Sequence, residues 1–278
     1  MLKLNQWLMI ALIPSFGLSA APCKQVYGDG ATEVRLATGS PGELGAVKAL
    51  ADAFNQDHDS RICWVKAGSG KSLKLLKQGE VDLVMVHAPA AEKAAVKEGW
   101  AKDRTLIGSN EFYFVGPVND PAKVHQANTI AEAYQRIADT QSRFLSRGDN
   151  SGTHKKELMI WSKADIAPKG DWYVTTKSFM RATLRQANRE QGYFMTDSST
   201  WITEKAKLTD LKVQFQGDPI LVNTYHALHG NKHDAKGKLA ESFVHYLGSD
   251  KGQQLFSSYG DKEYGQPLYT GAANTQDH

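Results

Sequence analysis

Apolar stretches of two kinds alternate along the first hundred residues. Short, mostly apolar runs at 33–38, 61–66 and 81–86 predict strands. After the first run, apolar residues repeat at helical spacing from Leu44 to Phe54, and an amphipathic helix also follows the second. This alternation predicts an α/β fold with a doubly wound sheet. We expect the turns after the three strands to lie along one edge of the sheet, where α/β proteins bind ligands.

The alternation restarts beyond residue 117, which predicts a second lobe. Its elements are predicted as helices at 129–139 and 179–189 and strands at 143–146, 172–174 and 193–197. The last quarter is predicted to be mostly helical, at 236–248 and 251–259. We expect one lobe to comprise 22–116 plus 218–278 and the other 117–217. The chain would then cross between lobes near Gly116 and Asp218, so the two lobes can close on a ligand.

Residues 1–21 have the pattern of a signal peptide. Lys3 supplies the positive charge, an apolar region runs from 8 to 18, and small residues follow at 19–21. The apolar region is shorter than a membrane span. Pro22 disfavours lipidation of Cys23, since lipoprotein signals place a small residue there. We therefore expect an exported, soluble protein with a cleaved leader.

The chain contains two cysteines, Cys23 and Cys63. In an oxidising compartment they could form a disulfide. Alternatively, Cys63 is a small buried residue of a strand. The sequence leaves both interpretations open, and its cysteines match no metal or redox motif.

Composition excludes several classes of function. The chain is 41% hydrophobic and 23% charged, with a net charge of +3. This is ordinary for a globular protein and gives no indication of nucleic-acid binding.

Two short motifs suggest other ligands but are incomplete. The segment Gly70-Lys71-Ser72 resembles the end of a P-loop, but Val65 stands where that motif needs glycine. His226, His229 and His233 could share a helical face, but no carboxylate-rich frame surrounds them, so we expect no metal site.

The richest candidate chemistry lies at 146–153. Ser151 is predicted to cap a helix whose first turn holds Gly152 and Thr153 and whose apolar positions include Leu158 and Trp161. Helix N-termini present unpaired N–H groups and a partial positive charge, which suits anions.

Arg147 adds a planar donor suited to two oxygens of one oxyanion. The alternative is an ordinary capped helix in which Arg147 pairs with Asp149.

Other polar residues follow the predicted strands, where they would face the same cleft. Candidate donors are Thr38, Ser40 and Ser69, and further candidates for the site are Gly70, His87, Asp149 and Asp197.

Several segments resemble the tungstate-binding proteins of bacterial ABC importers. The similar segments are 86–89, 111–117, 146–157, 168–173, 217–223 and 265–269. The resemblance spans nearly the whole chain after the leader. It implies a two-lobed type II periplasmic binding protein that holds a tetrahedral oxyanion in its interlobe cleft, without a cofactor. It also implies that the partners are the importer's membrane permease with its ATPase, and that the binding protein is monomeric.

The resemblance also assigns residues. Arg147 and Thr153 match the family's anion-binding positions, Ser40 matches a hydroxyl of its first turn, and Ser69 matches that of its Gly-x-Gly turn. The first turn here contains fewer hydroxyls than the family's, and Leu44 stands where the family commonly has serine. The resemblance therefore leaves the preferred oxyanion open.

Two alternatives accompany this prediction. Phosphate-binding proteins have a related Arg-x-Asp-x-Ser-Gly-Thr arrangement, but phosphate usually keeps a proton and favours a carboxylate acceptor, whereas tungstate, molybdate and sulfate need only donors. His87 stands where phosphate binders have that carboxylate, which favours a fully deprotonated anion. An exported hydrolase would use Ser151 or Ser69 with His87 or His154, but no Gly-x-Ser-x-Gly elbow is present.

Overall fold

A computed structural model describes residues 21–277. Its strands are β1 (Gln25–Tyr27), β2 (Thr32–Thr38), β3 (Ser60–Lys66), β4 (Leu83–Val86), β5 (Ala101–Pro117), β6 (Phe144–Ser146), β7 (Tyr173–Thr175), β8 (Phe194–Asp197), β9 (Leu211–Phe215), β10 (Val222–Gly230) and β11 (Thr270–Gly271). Its helices are α1 (Ser40–Glu43), α2 (Ala46–Asn55), α3 (Ser69–Lys77), α4 (Pro89–Lys97), α5 (Ile130–Thr140), α6 (Gly152–Lys163), α7 (Met180–Glu190), α8 (Ser198–Glu204), α9 (Ala235–Gly248), α10 (Asp250–Ser258) and α11 (Asp261–Tyr264).

The predicted signal peptide, 1–21, lies outside the described residues except for Ala21. None of the described helices is both long and apolar enough to cross a membrane.

The first sheet has the strand order β1-β3-β2-β4-β10-β5-β11. The three predicted strands are present as β2, β3 and β4, and β2 pairs in parallel with both of the others. Helices cover both faces: α2 and α9 pack on the side of Val34 and Leu36, whereas α3 packs on the side of Ala37. The doubly wound α/β architecture predicted from the alternation is confirmed for this sheet. The ends of β2, β3 and β4 therefore share one edge, as expected.

A second sheet forms around the far half of β5. β8 and β9 pair antiparallel with it, and β6, which pairs in parallel with β7, lies beside β8 through a bridge between Phe144 and Tyr193. Its core is aromatic: Phe144 packs against Tyr134 and Trp161, all of them fully buried.

The long strand β5 joins the two sheets. Its residues from Ala101 to Glu111 pair with β10, and those from Phe112 onward pair with β8. The chain returns between β9 and β10, a segment that contains Asp218. The lobe boundaries given above stay a prediction, and the change of pairing partner within β5 lies slightly before the first of them.

Two helix predictions need correction. The helix expected from about Glu43 to Asp57 begins at Ala46, because Gly45 has a left-handed φ of 93°, and the short helix α1 precedes it. Leu158, expected on the inner face of α6, is 46% exposed, whereas Trp161 and the carboxyl-bearing Glu157 are buried.

The three histidines do not share a helical face. His226 and His229 belong to the strand β10, and His233 follows it in a loop. Cys23 and Cys63 form a disulfide that joins the N-terminal segment to β3, with Cα atoms 5.4 Å apart. Cys63 is also completely buried, so both features considered for it are present.

Candidate anion-binding site

The N-terminus of α6 has the serine cap that the sequence predicts. Ser151 adopts an extended backbone, and its hydroxyl accepts a hydrogen bond from the His154 N–H at 3.3 Å. Gly152 and Thr153 form the first turn and are buried. Because the first N–H groups of a helix have no intrahelical acceptor, this turn presents backbone donors together with the positive end of the helix dipole.

Arg147 lies beside this helix end and is only 4% exposed. Its Nε and Nη2 donate to Asp149 Oδ2 at 3.1 and 2.6 Å. Asp149 Oδ1 accepts from the Ser151 N–H at 3.1 Å. Burial would raise the pKa of Asp149, but Arg147 and Ser151 together hold it below its usual value. Asp149 is therefore ionised, and it orients both the guanidinium and the helix cap.

The N-terminus of α3, which packs on the first sheet, faces that of α6. A Cβ at Gly68 would lie 3.0 Å from Ser151 Cβ and 3.9 Å from Arg147 Nη2. One at Gly70 would lie 2.5 Å from the Asn150 carbonyl oxygen. Glycine permits these approaches, so the Gly-Ser-Gly turn brings the N-terminus of α3, beside the first sheet, close to that of α6, beside the second.

Ser69 and His87 complete this part of the first lobe. The His87 N–H donates to Ser69 Oγ at 3.2 Å, which leaves the Ser69 hydroxyl hydrogen available to another acceptor. The imidazole packs on Tyr225 and against Gly152, whose added Cβ would lie 2.4 Å from His87 Cε1. Burial lowers the pKa of His87 to about 4, so the ring is neutral at neutral pH. Within 21–277, His87 Nδ1 has no hydrogen-bond partner.

Asp197 connects the lobes through a different set of bonds. It caps α8, accepting from the Thr200 N–H at 2.7 Å and the Ser199 hydroxyl at 2.6 Å. The Ser40 hydroxyl of the first lobe donates to its other oxygen at 2.9 Å. Three donors thus surround this buried carboxylate.

The remaining predicted hydroxyls differ in availability. Thr38 donates to the Met85 carbonyl at 2.7 Å, so its hydrogen is used within the sheet. Thr153 Oγ1 is buried and has no hydrogen-bond partner among the described residues. The donors free to reach a ligand at this interface are therefore those of the α6 and α3 N-termini and the outer edge of Arg147.

Sequence reasoning missed two groups of residues at the interface. The ring of Phe179 lies close to two cations: the centroid is 5.6 Å from Arg147 Cζ and 4.3 Å from Lys66 Nζ, at the end of β3. Lys66 is the last residue of a predicted strand, so its position at the sheet edge could have identified it as a candidate residue of the site. A buried chain from Asn223 through Asn110 to Ser199 supports Asp197, and it depends on long-range pairing that no local pattern reveals.

A cavity of about 690 Å³ lies elsewhere, between β5, the segment 217–222 and residues 266–276. It is open to solvent, and neither Arg147, Ser69 nor the first turn of α6 lines it. We therefore place the candidate site where the two helix ends meet and not in this cavity.

Comparison with known proteins gives consistent results. Residues 26–251 match the model of the PBP superfamily domain. A tungstate-binding protein, TupA, from Peptoclostridium acidaminophilum is 36% identical over 238 residues, which are 84% of this chain and 83% of that protein.

Two solved structures are similar over most of their length. The tungstate-binding protein TupA of Desulfovibrio alaskensis G20 is 37% identical, with a TM-score of 0.71 over 87% of this chain and 99% of that one. The tungstate ABC transporter structure from Geobacter sulfurreducens is 34% identical, with a TM-score of 0.74 over 83% of this chain and 100% of that one.

Proposed function

This chain belongs to the periplasmic binding protein superfamily and, within it, to the family of the tungstate-binding proteins; we propose that it captures a tetrahedral oxyanion, tungstate or the closely related molybdate, between its two lobes. The observation that supports this most strongly is the convergence of donors. The N-termini of α3 and α6, from different lobes, meet beside a buried guanidinium. An anion between them would receive backbone N–H groups, hydroxyls and Arg147 together.

The proposed ligands are the groups around that meeting point. Arg147, Ser151, Gly152 and Thr153 would donate from the second lobe and Ser69 from the first. Ser40 would contribute once its bond to Asp197 rearranges, and Thr38 would hold the turn in place. Gly70 permits the approach of the lobes, and Asp149 fixes the position of Arg147.

The state of the carboxylates favours an anion that carries no proton. Asp149 already accepts from Arg147 and Ser151, and Asp197 accepts from three donors. Both oxygens of Asp149, the carboxylate beside Arg147, are already engaged, so Asp149 offers no free acceptor for the proton of hydrogen phosphate. A ligand with acceptor oxygens alone satisfies the remaining donors, as tungstate, molybdate and sulfate do. This supports tungstate over the alternative, phosphate.

The number of donors is sufficient for useful affinity. Charge-assisted hydrogen bonds contribute roughly 1.5–3 kcal/mol each. A set of about six would offset the loss of anion hydration and reach micromolar affinity or better, since micromolar corresponds to about −8 kcal/mol. Because neither lobe provides that many donors alone, binding and closure are coupled.

The closed, liganded form is what a transporter would recognise. We propose that the protein works outside the cytoplasm and delivers the anion to the permease of an ABC importer, which its ATPase drives. No cofactor takes part, and the protein is not an enzyme.

The arrangement around Ser151 supports binding over hydrolysis. His154 Nδ1 accepts a hydrogen bond from the Asn150 N–H at 3.0 Å, and its backbone N–H is directed at the Ser151 hydroxyl. The imidazole is therefore not placed to take the Ser151 proton, as a catalytic base would.

Titration calorimetry with tungstate, molybdate, sulfate and phosphate at matched ionic strength tests the proposal. We expect saturable 1:1 binding of tungstate or molybdate, and binding of phosphate weaker by at least about tenfold. Phosphate as the tightest ligand would support the alternative, and no binding by any of the four would refute the function. Turnover of ester or phosphoester substrates that is lost in Ser151→Ala would favour the hydrolase.

A further inference from the structure

A cluster of histidines and carboxylates lies outside the anion site, on the first lobe. Asp103 of β5 and Glu241 and His245 of α9 each direct one ligand atom to a common region, with those atoms within 4.8 Å of one another. His245 Nε2 lies 3.3 Å from Asp103 Oδ2. Ligand atoms placed tetrahedrally at ~2.1 Å from an ion are ~3.4 Å apart, so small side-chain movements would complete such a site.

The positions in the fold explain how the three residues meet. Glu241 and His245 are separated by one turn of α9 and therefore project from the same face. Asp103 reaches this face from the adjacent strand, where its backbone has a left-handed φ of 52°. Because the ligands come from two elements, the geometry is set by the packing of α9 on the sheet.

His229 of β10 lies behind Asp103. Its Nδ1 donates to the Gly230 carbonyl at 2.9 Å, and its Nε2 lies 2.9 Å from Asp103 Oδ2. The ring is almost fully buried, with 3% exposure. This resembles the outer-shell support that fixes ligating carboxylates in metal sites.

Two carboxylates meet in this exposed cluster. Those of Asp103 and Glu241 are close together, and within the described chain neither forms an ion pair with lysine or arginine; the contacts of Asp103 are with the imidazoles of His229 and His245. Like charges at this distance repel each other. A divalent ion would remove that repulsion, and a histidine ligand favours transition ions such as Zn²⁺ over Mg²⁺ or Ca²⁺.

We propose that Asp103, Glu241 and His245 bind one divalent transition-metal ion, with Zn²⁺ as the representative, and that His229 positions Asp103 for it. Three protein ligands leave a fourth position for water. The site shares no residue with the anion cleft, so it stands independently of the function proposed above.

Calorimetric titration of the untagged, chelator-treated protein with ZnCl₂, and separately with MgCl₂, tests the site. We expect one equivalent of Zn²⁺ to bind and Mg²⁺ to give no saturable heat. His245→Ala and Glu241→Gln should each weaken Zn²⁺ binding at least about tenfold. His233→Ala, which removes an exposed histidine elsewhere on this lobe, should leave the affinity within about twofold.

A second pair of variants distinguishes two roles of His229, positioning Asp103 and filling space in the core. His229→Phe removes the bond to Asp103 and should weaken Zn²⁺ binding, whereas His229→Gln keeps a donor and should restore most of the affinity. Oxyanion binding, measured in parallel, reports that each variant is folded. Absent Zn²⁺ binding, or binding that His233→Ala reduces as much as His245→Ala does, would overturn the proposal.

Discussion

Two carboxylates determine which donors an incoming anion meets. Asp149 holds two nitrogens of Arg147, and Asp197 holds the hydroxyl of Ser40. Asp197 also caps α8 through the Thr200 N–H, and Asp149 accepts from the N–H of Ser151, the residue that caps α6. They therefore neutralise part of the positive potential at the interface while they hold the remaining donors in fixed positions, which lowers the reorganisation needed for binding.

Adding a methyl group at Gly152 tests whether anion binding needs the close contact between α6 and His87. In Gly152→Ala, the new Cβ would lie 2.4 Å from the His87 ring and 2.7 Å from its carbonyl oxygen. Overpacking of this kind costs about 1–3 kcal/mol, so we expect calorimetry to show oxyanion affinity lowered by roughly tenfold or more.

The matched control is Gly230→Ala, whose Cβ would make an ordinary contact of 3.5 Å with Leu76. It should bind as tightly as the native protein. Unchanged affinity in Gly152→Ala would mean that the lobes do not meet at Gly152 when the anion is bound.

Residue-scale prediction from the sequence succeeded where the interaction is local. The cap at Ser151 could be predicted because its partner is three positions away. The partners of Thr38 and Ser40 are Met85 and Asp197, far along the chain. No local pattern indicates which hydroxyls the protein itself occupies, so the sequence could identify donors but not their availability.

At the scale of elements, α6 carries both the anion-binding turn and a buried acid. Glu157, one turn after Thr153, is 2% exposed, and its Oε1 accepts from the Tyr173 hydroxyl of β7 at 2.6 Å. Burial raises the pKa of Glu157 to about 7. The folded protein therefore binds this proton more tightly than the unfolded chain does.

This shift predicts a pH-dependent stability. The contribution from protonated Glu157 is fully present below pH 4.5 and is lost as the pH rises through about 7. Glu157→Gln, which mimics the neutral form, should therefore gain about 2–3 kcal/mol relative to the native protein between pH 5 and pH 8, as measured by urea unfolding.

The exposed Glu263 of α11 provides the comparison, because Glu263→Gln changes a carboxylate outside the core. The difference in pH dependence between Glu157→Gln and this surface variant isolates the effect of the buried position. A Glu157→Gln variant that behaves in the same way would refute the assigned protonation of Glu157.

Elements with a strong apolar period were predictable, and strands whose apolar pattern is interrupted were not. β2, β3 and β4 appear where the sequence placed them. The first half of β5 and most of β10 were missed, because polar and charged residues such as Lys102, Arg104 and His226 interrupt their apolar pattern. β5 and β10 pair with each other over a long sequence separation, and the local sequence pattern does not indicate such pairing.

At the scale of the whole molecule, the disulfide and the cleft are separate. Cys23 and Cys63 lie at the β1–β3 edge of the first sheet, and neither contacts the candidate ligands described above. A crosslink with a sequence separation of 40 stabilises a protein mainly by restricting its unfolded chain.

Replacing both cysteines with serine should therefore lower the free energy of unfolding by about 4 kcal/mol, as measured in denaturant. Oxyanion affinity at a temperature where the variant is folded should stay within about twofold of the native value. A large loss of affinity in the folded variant would contradict this separation of stability from binding.

The most direct test of the account is the tungstate affinity of Arg147→Ala, measured by calorimetry beside Arg143→Ala. Both arginines flank β6, but Arg143 pairs with Glu190 at the surface, whereas Arg147 is buried between the lobes. Loss of two charge-assisted hydrogen bonds costs at least about 3 kcal/mol, so Arg147→Ala should bind tungstate at least about a hundredfold more weakly, with Arg143→Ala unchanged. A loss of less than about fivefold in Arg147→Ala would contradict the central claim that the anion is held between the lobes by this guanidinium.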